Sequence, residues 1–165
     1  AASEAQAMLQ RHGSGGNVHD KPFFLLLSFG PIGKRLDGHA KASWQRKTCA
    51  KHGHDSRRQL FCASVQSFDE AVGKLFASLR EQDVFSDTLV MFTTTSGGNP
   101  TVGGLNYPFR GQMATAWEGG VRGSAFIFAP QHIPAQVYGG LFHIADWAPT
   151  ILAIIDGGLL RASIP

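Results

Sequence analysis

Cys49, His52, His54 and Cys62 are residue types that bind zinc, and two residues separate Cys49 from His52. Against zinc stands the position of Cys62 in an expected helix, near its apolar face, where a buried thiol is the usual occupant. The same two cysteines suffice for one disulfide, which the spacing neither requires nor forbids. The glycine-rich stretch 96–104 has the pliancy of a phosphate cradle. It lacks the Gly-Lys-Ser/Thr ending of a P-loop and the spacing of a dinucleotide fingerprint. Asp69 and Glu70 are adjacent, so on a helix they point about 100° apart and do not make an acid–base pair. His143 falls between a strand end and a helix start and reads as a structural histidine rather than a catalytic one.

Charge is the other chemical signal. Of fifteen Lys and Arg, eight (Lys34, Arg35, Lys41, Arg46, Lys47, Lys51, Arg57 and Arg58) lie between 34 and 58, opposed there by Asp37 and Asp55 alone. Such a run can meet a sulfated glycan, an acidic lipid surface or nucleic acid, with Lys41, Arg46, Lys47 and Lys51 as the candidate anion-binding residues. Its ordinary form is a solvated loop, here residues 34–56 within a single domain spanning 1–165.

The elements that must carry these groups follow from apolar spacing. The chain is 43% hydrophobic and 16% charged, which predicts a globular core. Residues 3–11 are helix formers with Ser3 placed to cap, and Gly13 to Asn17 stops them. The continuous apolar run Phe23 to Phe29 predicts a strand covered on both faces, too short to span a bilayer. Residues 33–54 show no period. A long helix starts at Asp55 and ends near Asp83, with Phe61, Val65, Phe68, Val72, Leu75, Phe76 and Leu79 on one face. Strands at 88–94 and 124–128 and a last helix to Ile155, capped by Asp146, complete an α/β reading with a right-handed βαβ core. The opening residues, Ala1-Ala2-Ser3-Glu4, carry no basic-then-apolar leader pattern.

Six ordered blocks then carry a resemblance: Lys21-Pro22-Phe23-Phe24-Leu25; Phe68-Asp69-Glu70-Ala71-Val72-Gly73; Phe92-Thr93-Thr94 running into Gly97-Gly98; Asn106-Tyr107-Pro108-Phe109-Arg110-Gly111; Trp117-Glu118-Gly119-Gly120-Val121-Arg122-Gly123; and His143 through Thr150. Over about residues 3–156, with 35–56 poorly matched, the chain resembles the C-terminal half of a sulfatase catalytic domain of the arylsulfatase B type. The resemblance implies a partial alkaline-phosphatase-like sheet with flanking helices. It also implies ancestors that used calcium and a cysteine-derived formylglycine to hydrolyse sulfate esters.

Every active-site position matched in this sequence is changed, and the family's first metal-binding aspartates belong to an N-terminal half outside the match. The nucleophile motif Cys-x-Pro-Ser-Arg is absent, since Ala50-Lys51-His52 follows Cys49 and Ala63-Ser64-Val65 follows Cys62. Thr95-Ser96 replaces the metal-binding Asp-Asn, Gly33 falls at a histidine position and Met113 at a lysine position. Gly97, Gly98, Arg110, Gly111, Glu118, Gly119, Gly120, Arg122 and Asp146 are kept, and read as structural: tight turns and a buried ion pair. No cofactor is therefore expected. The expectation is a catalytically inactive, sulfatase-derived subunit that contacts other proteins. The alternatives are a piece of an arylsulfatase completed by another chain, and a basic module holding an acidic partner through 34–58. The family is usually lysosomal or secreted; the compartment of this chain is not named by its sequence.

Overall fold

The computed structural model describes residues 2–14, 22–30, 49, 55–129 and 132–157, without the side chains of residues 2 and 12–14. Helix α1, Ala2–Ser14, begins one residue before Ser3, so Ser3 lies in the first turn rather than at the cap. Ala5 and Leu9, four apart and therefore on one face, are buried. They seat α1 on α2, Ser56–Glu81, where Gln6 Nε2 donates to Ser78 Oγ at 3.2 Å.

Asp55 starts α2 as its spacing predicts: its Oδ1 accepts from the Arg57 backbone N–H at 2.9 Å. That N–H holds the Asp55 carboxyl below its ordinary pKa. The far end closes when Val84 N–H donates to the Leu79 carbonyl at 3.1 Å, with Asp83 in the left-handed conformation, φ 55°, a place glycine usually takes. The aromatic residues of the predicted face do the packing. Phe68 meets Phe29 edge-on at 4.8 Å and Phe92 at 6.1 Å, and Phe76 meets Phe85 and Phe128. Val65, predicted on that face, is exposed instead. Leu9, Leu79 and Val84 form the core, with Phe23, Leu75, Phe76 and Phe85 against it.

Two short strands lie over α2: β1, Val90–Thr93, and β2, Ala125–Phe128. They pair antiparallel, Val90 opposite Phe128 and Phe92 opposite Phe126, whose rings stack at 5.1 Å. The segment predicted as a doubly covered strand, 23–29, differs from expectation. It is extended and alternates strictly, with Phe23, Leu25, Leu27 and Phe29 half-buried and Phe24, Leu26 and Ser28 exposed, and it forms no ladder with a described strand. The parallel pairing at the centre of the predicted βαβ unit is thus not made among the described residues. What remains of that unit is its order: extended segment, helix, strand, with Phe68 touching both flanks. The physical reason is one-sided cover, since α2 lies under the segment and no described element lies over it.

After β2, residues 134–143 run without regular structure to a 3-10 turn, Ile144–Asp146, that leads into α4, Trp147–Ile155; a short helix α3, Glu118–Val121, precedes β2. Asp146 was expected to cap the last helix, but its side chain makes no such bond. Its Oδ2 accepts from the His143 backbone N–H at 2.7 Å while His143 Nδ1 accepts from Ala145 N–H at 3.2 Å, a reciprocal box around the 3-10 turn. No helix among the described residues is long and apolar enough to cross a membrane.

Candidate functional site

The glycines between 97 and 123 come together in one loop system, 94–124, tied at its base to the two strands. Thr94 N–H donates to the Ser124 carbonyl at 2.9 Å and Thr94 Oγ1 accepts from Ser124 N–H at 2.9 Å. One step further, Gly97 N–H donates to the Gly120 carbonyl at 2.9 Å. A Cβ on Gly97 would run into the Gly119 carbonyl, and one on Gly119 would strike the Gly111 carbonyl, so backbone is stacked on backbone.

Asn106 holds the layers together. Its Oδ1 accepts from Gly98 N–H at 2.7 Å, and its Nδ2 donates to the carbonyls of Gly98 at 2.9 Å and Gly111 at 3.2 Å. Met113 N–H adds a bond to the Gly98 carbonyl at 3.1 Å, and Gly119 N–H one to the Arg110 carbonyl at 2.8 Å. Gly111 turns at φ 92° against Trp117, over whose ring the Arg110 guanidinium lies at 3.7 Å. Gly103, at φ 89°, packs on the Arg57 backbone, and its carbonyl accepts from Arg58 Nη1, which docks the loop on the start of α2.

Thr95 and Ser96 occupy the first turn of this loop, directly after β1. Thr95 is exposed, and Ser96 Oγ donates to the Gly97 carbonyl at 3.2 Å. Met113 presents a side chain 41% exposed. A hard divalent ion needs several oxygens, carboxylates among them, and two neutral hydroxyls do not meet that need. No group of three or more His, Cys, Asp or Glu gathers among the described residues. The hydroxyls of Thr95 and Ser96 do not by themselves fit calcium. Cys49 and Cys62 are joined in a disulfide, Cα–Cα 5.8 Å, so neither is a free thiol for a formylglycine or a thiolate for zinc.

The ion pair expected to be buried is not. Arg122 Nη1 and Glu118 Oε2 are 3.4 Å apart with both side chains 61% exposed, because α3 is one turn long and lies on the surface. Arg122 also sits over the Phe109 ring at 4.6 Å. Gly33, Lys41, Arg46, Lys47, Lys51, His52 and His54 lie outside the described residues. Asn106, the side chain with most bonds to the loop backbone, is not among the residues that sequence reasoning singled out. Its signal was available: an amide in a glycine-rich stretch, opening one of the six ordered blocks.

Comparison with known proteins places this geometry. The profile of the family described as Sulfatase matches residues 4–157. Mouse (Mus musculus) arylsulfatase J is 28% identical over 143 residues, covering 85% of this chain and 23% of its own length. Human (Homo sapiens) N-acetylgalactosamine-6-sulfatase is 35% identical over 104 residues, covering 60% of this chain and 20% of its own. The chain thus spans under a quarter of either relative. The crystal structure of Ps i-CgsB in complex with k-i-k-neocarrahexaose superposes with a TM-score of 0.81 at 24% identity, over 99% of this chain and 34% of that one. The α1–α4 and β1–β2 framework is accordingly part of an alkaline-phosphatase-like α/β fold.

Proposed function

This chain belongs to the sulfatase family, and we propose that it is a non-catalytic member, a scaffold that keeps the family's loop architecture and acts through contact with other protein subunits. One observation carries the reading. The loop after β1 is closed bond by bond, from Gly97–Gly120 to the Asn106 clip, while the two positions that should face a metal hold Thr95 and Ser96. Without a carboxylate there, the field that would draw a divalent cation and hold a sulfate ester's developing charge is missing. Met113 removes a fixed cation from the same loop. A second polypeptide that brought a nucleophile would leave all three positions unchanged, which weighs against the completed-enzyme alternative. The Cys49–Cys62 bridge favours a route through an oxidising compartment.

Calcium titration tests the observation. Calcium at about a hundred times its Kd would raise stability by about 2.7 kcal/mol. For a chain of 165 residues that is an upward shift of about 5 °C or more in the unfolding midpoint. The expected result is no shift beyond that of sodium chloride at equal ionic strength. A saturable, calcium-specific rise contradicts the reading.

A further inference from the structure

His143 stands where the irregular stretch 134–143 becomes helix, and two devices fasten the chain there. One is the reciprocal box, in which His143 Nδ1 accepts from the Ala145 N–H at 3.2 Å and Asp146 Oδ2 accepts from the His143 N–H at 2.7 Å. The other is an aromatic clasp across the same turn. Phe142, just before the cap, meets Trp147, four residues after it, edge-on at 4.6 Å. Such a contact fixes the angle at which a chain enters a helix. The 3-10 turn runs directly into α4, so His143 caps the whole of 144–155.

Serine, threonine, aspartate and asparagine, the usual caps, keep their acceptor throughout about pH 5–8, and imidazole does not. Nδ1 accepts only while it carries no proton. Protonation sets one N–H against another and places a positive charge at a helix N-terminus, where the helix dipole disfavours it. Asp146 is the charge that opposes this effect, by attracting the imidazolium. Both side chains are exposed, so the attraction is screened, and it does not restore the lost acceptor. Among the described helices and strands only α4 packs on the turn, and α4 carries no titratable residue. The stretch 133–142 adds Tyr138 alone, which stays neutral over this range. We propose that His143 is a proton switch for this joint: the box is closed while the imidazole is neutral and opens in acid, releasing the stretch 134–143 from its fixed angle to α4. The switch goes beyond the non-catalytic reading and does not depend on it.

The test follows the amide–water exchange of Ala145 by NMR in the full 165-residue chain, from about pH 8 to about pH 5, while the His143 ring shifts report protonation. Each rate is divided by the rate of an unprotected amide at the same pH. The expected result is a rise of about fivefold in this ratio, the scale of one lost hydrogen bond, with the same midpoint as the His143 ring. Nuclear Overhauser contacts between the Phe142 and Trp147 rings should weaken over the same step. His143→Asn keeps a capping oxygen and has no proton to gain, so its ratio should stay low to the acid end of the range. A ratio that does not change while the His143 ring titrates overturns the proposal, as does a step of the same size in His143→Asn. The first of these is read on the unaltered chain, so it holds even where the variant fails to fold.

Discussion

Replacing Asn106 by alanine removes three hydrogen bonds at once, to the Gly98 N–H, the Gly98 carbonyl and the Gly111 carbonyl. The Gly98 carbonyl keeps the Met113 N–H, so two backbone groups lose a partner outright. A typical bond contributes about 0.5–1.5 kcal/mol net, and the site is only partly buried, so the loss should be about 2 kcal/mol. In a 165-residue chain that lowers the unfolding midpoint by about 4–8 °C. Aspartate is a sharper probe. It still accepts from Gly98 N–H but turns an acceptor towards two carbonyls, and it should destabilise at least as much as alanine. Glu118→Gln serves as the control, since its ion pair is exposed and such pairs are worth about 0–1 kcal/mol. Circular dichroism melts and urea titrations of the three variants decide. An Asn106→Ala midpoint within about 1 °C of the parent, or a Glu118→Gln loss above about 3 kcal/mol, the scale of a broken buried pair, would refute the reasoning.

Two further predictions concern the segment before α2. The Cys49–Cys62 bridge closes a loop of sequence separation 13, so its removal by Cys49→Ser with Cys62→Ser should lower stability by about 3 kcal/mol, and intact protein should show no maleimide-reactive thiol. If the basic run 34–58 holds an acidic partner, the alternative to the scaffold reading, retention on heparin should fall steeply with salt. Neutralising Lys41, Arg46, Lys47 and Lys51 should then remove most of it, and unchanged retention would leave the run as solvated charge.

The long helix was legible because its evidence is local: Asp55 lies two residues before the amide it caps, and the three-and-four spacing of Phe61, Phe68 and Phe76 repeats along one chain segment. The strands at 90–93 and 125–128 were legible as apolar runs, but their antiparallel register joins residues more than thirty apart, which periodicity does not encode. Segment 23–29 was read from composition as covered on both faces, and the described residues cover one, because an apolar run states a preference for burial and not what supplies it. The Glu118–Arg122 pair was read as buried because both residues are kept in the family resemblance. Gly119 and Gly120 beside them are buried, but the pair itself is exposed at the start and C-cap of a one-turn surface helix. Asn106 escaped notice for the same non-local reason, since its partners are five and eight residues away across a loop whose shape the glycines decide. The family resemblance, by contrast, was carried by ordered blocks, and order along the chain is what a sequence records best.

The central claim is that this sulfatase-family chain does not hydrolyse sulfate esters, and turnover measures it directly. The purified chain, assayed with a chromogenic aryl sulfate in excess calcium, should release no product above buffer across a range of protein concentrations. Hydrolysis that saturates with substrate and rises in proportion to protein would contradict the account, because Thr95 and Ser96 offer an ion no carboxylate and Met113 offers a sulfate no charge.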